Sequence, residues 1–102
     1  MRDAFFHAEL AEAREGNVEA QHNLGVRSAT GEGLPQNDAE AVSLWRKAGT
    51  QGYALAQFNL GLMYPKGDGV RKNYVKAYSW LSVANSRVMK LAARILIFSE
   101  EE

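Results

Sequence analysis

The fold of this chain is decided by a stretch that reads AQFNLGLMY at residues 56–64 and continues GDGV at residues 67–70. A similar stretch begins 36 residues earlier, at residue 20, and reads AQHNLGVRS followed by GEGL. When residues 16–51 are shifted by 36 positions, 12 of them are identical to the residue they meet, whereas unrelated sequences of average composition share roughly two. The identical residues are Gly16, Ala20, Gln21, Asn23, Leu24, Gly25, Gly31, Gly33, Asn37, Ala41, Ser43 and Ala48. Such a period is typical of a solenoid built from stacked helical units.

Each copy has the pattern of a helix, a glycine-containing loop and a second helix. Apolar residues at helical spacing predict first helices over residues 18–30 and 54–64, and second helices over 38–50 and 74–86. Glycines supply the left-handed turns that stop the first helices, and Pro65 is expected to end the later one. The residues predicted to build the repeat core and loops are Ala20, Leu24, Gly25, Gly31, Gly33, Ala56, Leu60, Gly61, Gly67, Gly69, Trp45 and Trp80.

Two of these glycines lie in the middle of predicted helices. Gly25 and Gly61 occupy the same repeat position, although glycine inside a helix costs about 1 kcal/mol relative to alanine. A cost that recurs at one position needs a reason, and the simplest is close approach of the neighbouring helix.

Incomplete units flank the two copies. We predict one domain over residues 1–102, in which residues 1–16 form a partial repeat helix. Residues 17–52 form the first repeat, residues 53–88 the second, and residues 89–102 a capping helix with an acidic tail. The expected architecture is all-α, with about six antiparallel helices in contact with their neighbours.

These motifs resemble the Sel1-like repeat family, a relative of the tetratricopeptide repeats, over about residues 8–98. The resemblance implies a right-handed αα-superhelix whose first helices line a concave groove. It also implies a non-catalytic adaptor or scaffold that binds a partner peptide or domain in that groove. Ser28 departs from the family pattern, because an aromatic residue is usual there and the second copy has Tyr64. The core of the first repeat is therefore expected to be looser.

The first-helix residues beside the core stripe are the predicted groove, and their set is His22, Asn23, Val26, Phe58, Asn59 and Leu62, followed by Arg94 in the cap. Asn23 and Asn59 could hold a partner's backbone or carboxyl terminus, since an amide both donates and accepts hydrogen bonds. The alternative is that they make internal hydrogen bonds. Phe58 and Leu62 are the preferred hot spot, and a buried position between helices is their alternative.

Composition limits the other classes of function. The 102 residues are 46% apolar and 24% charged, with zero net charge and no cysteine. Disulfides and thiolate metal sites are therefore excluded, and nothing in the overall charge favours nucleic acid. The two histidines belong to no metalloprotease motif. We expect no cofactor, no metal, no enzymatic activity and no insertion into a membrane.

Charge is distributed unevenly along the chain. Residues 1–40 carry three basic and eight acidic side chains, a net −5, whereas residues 41–99 carry nine basic and one acidic, a net +8. This asymmetry is either drift on solvated faces or an attraction for an acidic partner or a second copy.

The expected partner is a protein, and its identity is not encoded in these motifs. The alternatives are a regulatory subunit that stabilises one enzyme, or a homo-oligomer formed through the apolar run Ile95–Phe98. We expect a cytoplasmic location, or a periplasmic or secreted one if a signal peptide has been removed.

Overall fold

A computed structural model describes the backbone of residues 2–86 and the side chains of residues 7–86. Within residues 2–86 the chain is helical and contains no strand, which confirms the predicted all-α class. The helices are α1 (Arg2–Arg14), α2 (Val18–Thr30), α3 (Asp38–Thr50) and α4 (Ala54–Lys66), with a fifth, α5, described over residues 74–86. The predicted capping helix over residues 89–102, with Arg94 and Ile95–Phe98, lies outside the described residues.

Asparagine side chains start three of the five helices within residues 2–86. The Oδ1 atoms of Asn17 and Asn37 accept hydrogen bonds from the backbone N–H groups three residues later, at 2.9 and 3.0 Å. Asn73 does the same at the start of α5, at 2.9 Å. Each bond satisfies one of the backbone donors that a helix leaves unpaired at its first turn. The local sequence therefore determines where these helices begin.

Glycine 67 rather than proline ends α4. Pro65 was expected to stop this helix, and that prediction is wrong, because the helix continues through it to Lys66. Pro65 lies one residue before the end of the helix, so its missing N–H removes one hydrogen bond from the last turn only. Gly67 then adopts φ 72° and donates its N–H to the Met63 carbonyl at 2.9 Å, which is the glycine cap that Gly31 also makes after α2.

The helices pack mainly against their neighbours in sequence, as expected of a solenoid. A small cluster joins α1, α2 and α3 through Ala13, Ala20, Leu24 and Leu44. A larger cluster joins α3, α4 and α5, and its buried members are Ala41, Val42, Trp45, Ala48, Ala56, Leu60, Met63, Tyr64 and Ala77. The core therefore runs continuously across the boundary between the two repeats.

Both mid-helix glycines face a large side chain of the second helix of their own repeat. A Cβ atom added to Gly25 would lie 2.6 Å from Nε1 of Trp45, and one added to Gly61 would lie 2.7 Å from Cγ of Leu81. The expected close approach of the neighbouring helix is confirmed. The repeated glycine provides the space in which each second helix packs against its first helix.

One glutamine in each repeat, at equivalent positions, hydrogen-bonds to the helix that precedes the repeat. The Nε2 atom of Gln21 donates to the carbonyl of Ala13 at 3.2 Å, and Nε2 of Gln57 donates to the carbonyl of Gly49 at 2.9 Å. Both side chains are buried. Each carbonyl also accepts a backbone N–H, that of Gly16 for Ala13 and that of Gly52 for Gly49. The buried amide therefore adds a second hydrogen bond that joins each repeat to the end of the preceding helix.

Candidate functional site

The first helix of the second repeat carries apolar side chains on its exposed side. Leu55 is 59% exposed, Phe58 48% and Leu62 39%. Their spacing of three and four residues places them on one side of α4. Monomeric proteins scatter single apolar residues over their surface, but a contiguous group of large ones usually marks an interaction site.

An apolar pocket adjoins this row. It lies between α4 and α5, has a volume of about 650 Å³, and is lined by Ala54, Leu55, Phe58, Tyr78, Leu81, Ser82, Ala84 and Asn85. We call Leu55, Phe58, Leu62 and Tyr78 the α4 surface. Phe58 and Leu62 were predicted as binding residues, whereas Leu55 and Tyr78 were not. Leu55 could have been found from its helical spacing to Phe58, but Tyr78 comes to this surface only through the packing of α5.

His22 was expected to face the groove, and that expectation is wrong because the side chain is 8% exposed. The Tyr53 ring packs against it at a centroid distance of 5.2 Å. Its Nε2 atom lies 3.0 Å from Nδ2 of Asn59. The two side chains are within hydrogen-bonding distance, and the imidazole accepts from the amide in the tautomer that carries its proton on Nδ1. Burial lowers the pKa of His22, and this effect outweighs the opposing influences of Asn23 and Glu19.

The two predicted asparagines differ in their surroundings. Asn23 is exposed on α2, whereas Asn59 is half-buried and holds His22. Val26 is partly buried against the larger core cluster. Arg94 lies outside the described residues. Of the predicted groove, the structure therefore places Phe58 and Leu62 together on an exposed surface, and it turns His22 and Asn59 toward each other between the repeats.

Basic side chains predominate from α3 to the end of the described chain. Between residues 41 and 86 six basic residues accompany a single acid, Asp68, a net charge of +5. The basic residues are Arg46, Lys47, Lys66, Arg71, Lys72 and Lys76, and all six are exposed. The Nζ atom of Lys72 lies 5.2 Å from the centroid of the Tyr74 ring. The potential around α3, α4 and α5 is therefore positive and attracts acidic groups.

Neither a metal-binding cluster nor a membrane-spanning helix is found in the described part of the chain. Among residues 2–86 no group of histidine, aspartate or glutamate side chains is arranged to hold a metal ion. The helices described here are all too short or too polar to cross a lipid bilayer. The described surface presents an apolar contact area, the α4 surface, and exposed basic side chains.

Stacked helix pairs with an exposed apolar row define the class of this protein as a helical repeat protein of the αα-solenoid type. A sequence profile of the Sel1 repeat matches residues 18–53 and again residues 54–86, so the chain belongs to the Sel1 repeat family. Sel1 repeat proteins are generally protein-interaction modules.

Several solved structures resemble this chain, and two of them are described here. One is a protective antigen of uropathogenic Escherichia coli that displays an SLR fold, with 39% identity and a TM-score of 0.73 over 74% of this chain and 16% of that protein. The other is a Sel1 repeat protein from Oxalobacter formigenes, with 41% identity and a TM-score of 0.70 over 72% of this chain and 30% of that protein. The chain thus spans less than a third of the length of either protein. No curated protein sequence matches it significantly.

Proposed function

We propose that this chain is a non-catalytic interaction module that binds a partner protein through the α4 surface. The observation that carries the proposal is the exposure of Leu55, Phe58 and Leu62 in one row beside an apolar pocket. Interfaces draw most of their binding energy from a few large side chains that become desolvated in such pockets. An aromatic residue flanked by leucines supplies that kind of anchor.

The positive charge of residues 41–86 indicates what else the partner should carry. Exposed Arg71, Lys72 and Lys76 follow α4 in the chain, and Asp68 is the only acid between residues 41 and 86. Complementary charge speeds association and excludes partners of like charge. The partner proposed here therefore has an apolar segment for the α4 surface and acidic residues beside it.

The proposal is tested by affinity capture from a lysate of the source cell, followed by mass spectrometry. Three baits are compared: the native chain, the double variant Leu55→Ala/Phe58→Ala, and the matched control Val75→Ala. Val75 is 76% exposed and does not line the α4–α5 pocket. Circular dichroism and the melting temperature (Tm) of each bait show whether it remains folded.

The proposal predicts that one protein is enriched by the native chain and by Val75→Ala but is lost from Leu55→Ala/Phe58→Ala. Equal recovery by all three baits would contradict the assignment of this surface. Recovery of the chain alone, with a mass that rises with concentration, would favour self-association. A lower Tm for the double variant alone would show that the α4 surface packs against the chain itself, because truncating exposed side chains usually changes stability by less than about 0.5 kcal/mol.

A further inference from the structure

The α4–α5 pocket repeats, 36 residues later, the surface of α2 and α3 against which α4 packs. Each residue that lines the pocket comes 36 positions after a residue of α2 or α3. The α2 and α3 residues equivalent to the lining are Val18, Glu19, His22, Val42, Trp45, Arg46, Ala48 and Gly49. A helix can therefore pack in this pocket as α4 packs on the first repeat.

The two equivalent surfaces differ in what covers them. Val42 is 3% exposed and belongs to one buried cluster with Ala56 and Leu60 of α4. Its equivalent on α5, Tyr78, is 76% exposed, and Phe58, which stands where the first repeat has a buried histidine, is 48% exposed. Among residues 2–86, no helix takes the place on α4 and α5 that α4 takes on α2 and α3.

The packing of α4 shows what kind of helix fits such a surface. Ala56 and Leu60, four residues apart on one side of α4, are completely buried. Between them, Gln57 donates from Nε2 to the Gly49 carbonyl at 2.9 Å. Gln21 makes the equivalent bond to the end of α1, so both junctions use an amide at this position. The pattern on the buried side is therefore Ala-Gln-x-x-Leu.

The pocket contains the equivalent acceptor for this amide. Asn85 stands where α3 has Gly49, so its backbone carbonyl is the group that a glutamine on a docked helix would reach. Ala13 stands at the same position of α1, and the bond from Gln21 to its carbonyl is 3.2 Å long. A residue with a side chain at this position is thus compatible with the bond.

Two other occupants match the pocket less well. A second copy of this chain carries Ala-Gln-x-x-Leu on α2 and on α4, but the alanine and leucine of both helices are already buried within the copy itself. Residues 92–96 of this chain read AARIL, which has the alanine and the leucine in register but has Ala93 in place of the glutamine. A helix of another protein is the occupant that can supply the whole pattern.

We propose that the segment of the partner that binds the α4 surface is an amphipathic α-helix with the pattern Ala-Gln-x-x-Leu, packed in the α4–α5 pocket in the register that α4 has on α2 and α3. Its alanine and leucine pack against Tyr78, Leu81 and Ala84, and its glutamine donates to the Asn85 carbonyl. The net charge of +5 over residues 41–86 favours acidic residues on its exposed side. This inference rests on the proposed function and specifies the partner's binding segment.

The test titrates the ¹⁵N-labelled full chain with three capped, hydrocarbon-stapled helical peptides and follows backbone amide shifts. The matched peptide has Ala-Gln-Glu-Glu-Leu at its centre, the second has alanine in place of the glutamine, and the third has its alanine and leucine exchanged. We expect saturable shifts at residues 54–58 and 78–85 with the matched peptide. Loss of the glutamine should weaken binding about three- to tenfold, and the exchanged peptide should give no saturable shift.

Two variants of the chain locate the contact. Tyr78→Ala removes a large side chain from the pocket and should weaken the matched peptide about tenfold. Val83→Ala is the control, because Val83 is 46% exposed on the same helix and does not line the pocket. It should bind the matched peptide as the native chain does. Circular dichroism shows whether both variants remain folded, and the three peptides test the register without any change to the chain.

The proposal is overturned if the matched peptide gives no saturable shift, as it would if residues 87–102 covered the pocket. Equal affinity for the matched and exchanged peptides overturns it too, as do shifts at residues 54–58 and 78–85 that grow with protein concentration alone, which indicate a second copy. A partner captured from the lysate without any binding of the matched peptide would contradict this inference and leave the proposed function standing. Binding of the peptide without a captured partner would contradict the proposed function instead.

Discussion

Buried polar side chains connect the repeats of this protein at the scale of single residues. Gln57 holds the end of α3, and His22 meets Asn59 across the boundary between α2 and α4. Trp45 also takes part, since its Nε1 donates to the carbonyl of His22 at 3.2 Å. Removing one partner of such a buried pair costs more than the bond itself contributes, because the other group stays desolvated.

His22 makes the stability of the fold depend on pH. Burial lowers its pKa in the folded chain, so below about pH 6.5, its ordinary value, the unfolded chain binds more protons than the folded one. The free energy of unfolding therefore rises with pH in this range. The contribution of His22 is complete above the unfolded pKa and is lost as the pH falls toward the folded pKa.

We predict that the native chain loses more stability than His22→Gln between pH 7.5 and pH 5. Urea unfolding at each pH measures the free energy, and both chains carry the same carboxylates, so their difference isolates the histidine. Parallel loss of stability in the two chains would mean that His22 is not held neutral by its surroundings.

The burial of His22 could not be predicted from the sequence pattern. Helical spacing placed it beside Asn23, which is exposed. The spacing contains no information about Tyr53 and Asn59, which cover the imidazole from the following repeat. Phe58, at the same repeat position, is exposed as expected. The two equivalent residues thus differ in their surroundings, since Tyr53 and Asn59 cover His22 whereas Phe58 is 48% exposed.

The elements themselves follow closely from the sequence. α2 and α3 have their predicted bounds, because asparagine caps start them and glycine ends α2. α4 departs from its predicted end since Pro65 is tolerated in a last turn that Gly67 can still cap. Ser28 was expected to loosen the first repeat, and a cavity lies beside it. The size and lining of that cavity depend on how α1 packs, which the repeat pattern did not specify.

The two loop glycines Gly33 and Gly69 are equivalent in sequence but differ in surroundings. Both have positive φ, 81° and 68°. A Cβ atom on Gly33 would find only the tip of Arg27, at 3.6 Å, whereas one on Gly69 would collide with the backbone of Asp38 and Ala39. The second loop therefore packs directly onto the start of α3.

We predict that Gly33→Ala costs about 1 kcal/mol, the strain of a left-handed alanine, and that Gly69→Ala costs roughly 3–4 kcal/mol because the loop must also move away from α3. The free energy of unfolding in urea measures both. Equal losses for the two variants would show that the contact between the second loop and α3 is not required for stability.

At the scale of the whole molecule, the two ends of the solenoid differ in character. Residues 2–40 are acidic, whereas residues 41–86 are basic and carry the α4 surface. In a repeat protein each unit contacts mainly its neighbours. Surfaces on different units can therefore bind independently of one another. Membership of the Sel1 repeat family accounts for the helical framework. The exposed side chains particular to each repeat determine what that repeat can bind.

The central claim, that the α4 surface is a protein-binding site, is tested most directly by site-specific photo-crosslinking in the source cell. A benzophenone amino acid is placed at position 58 and, as a control, at position 75 of the native protein. We predict that irradiation joins position 58 to one other protein and that position 75, although more exposed, gives little or none of that product. A position 75 product of equal yield, or a position 58 product that contains only copies of this chain, would contradict the claim.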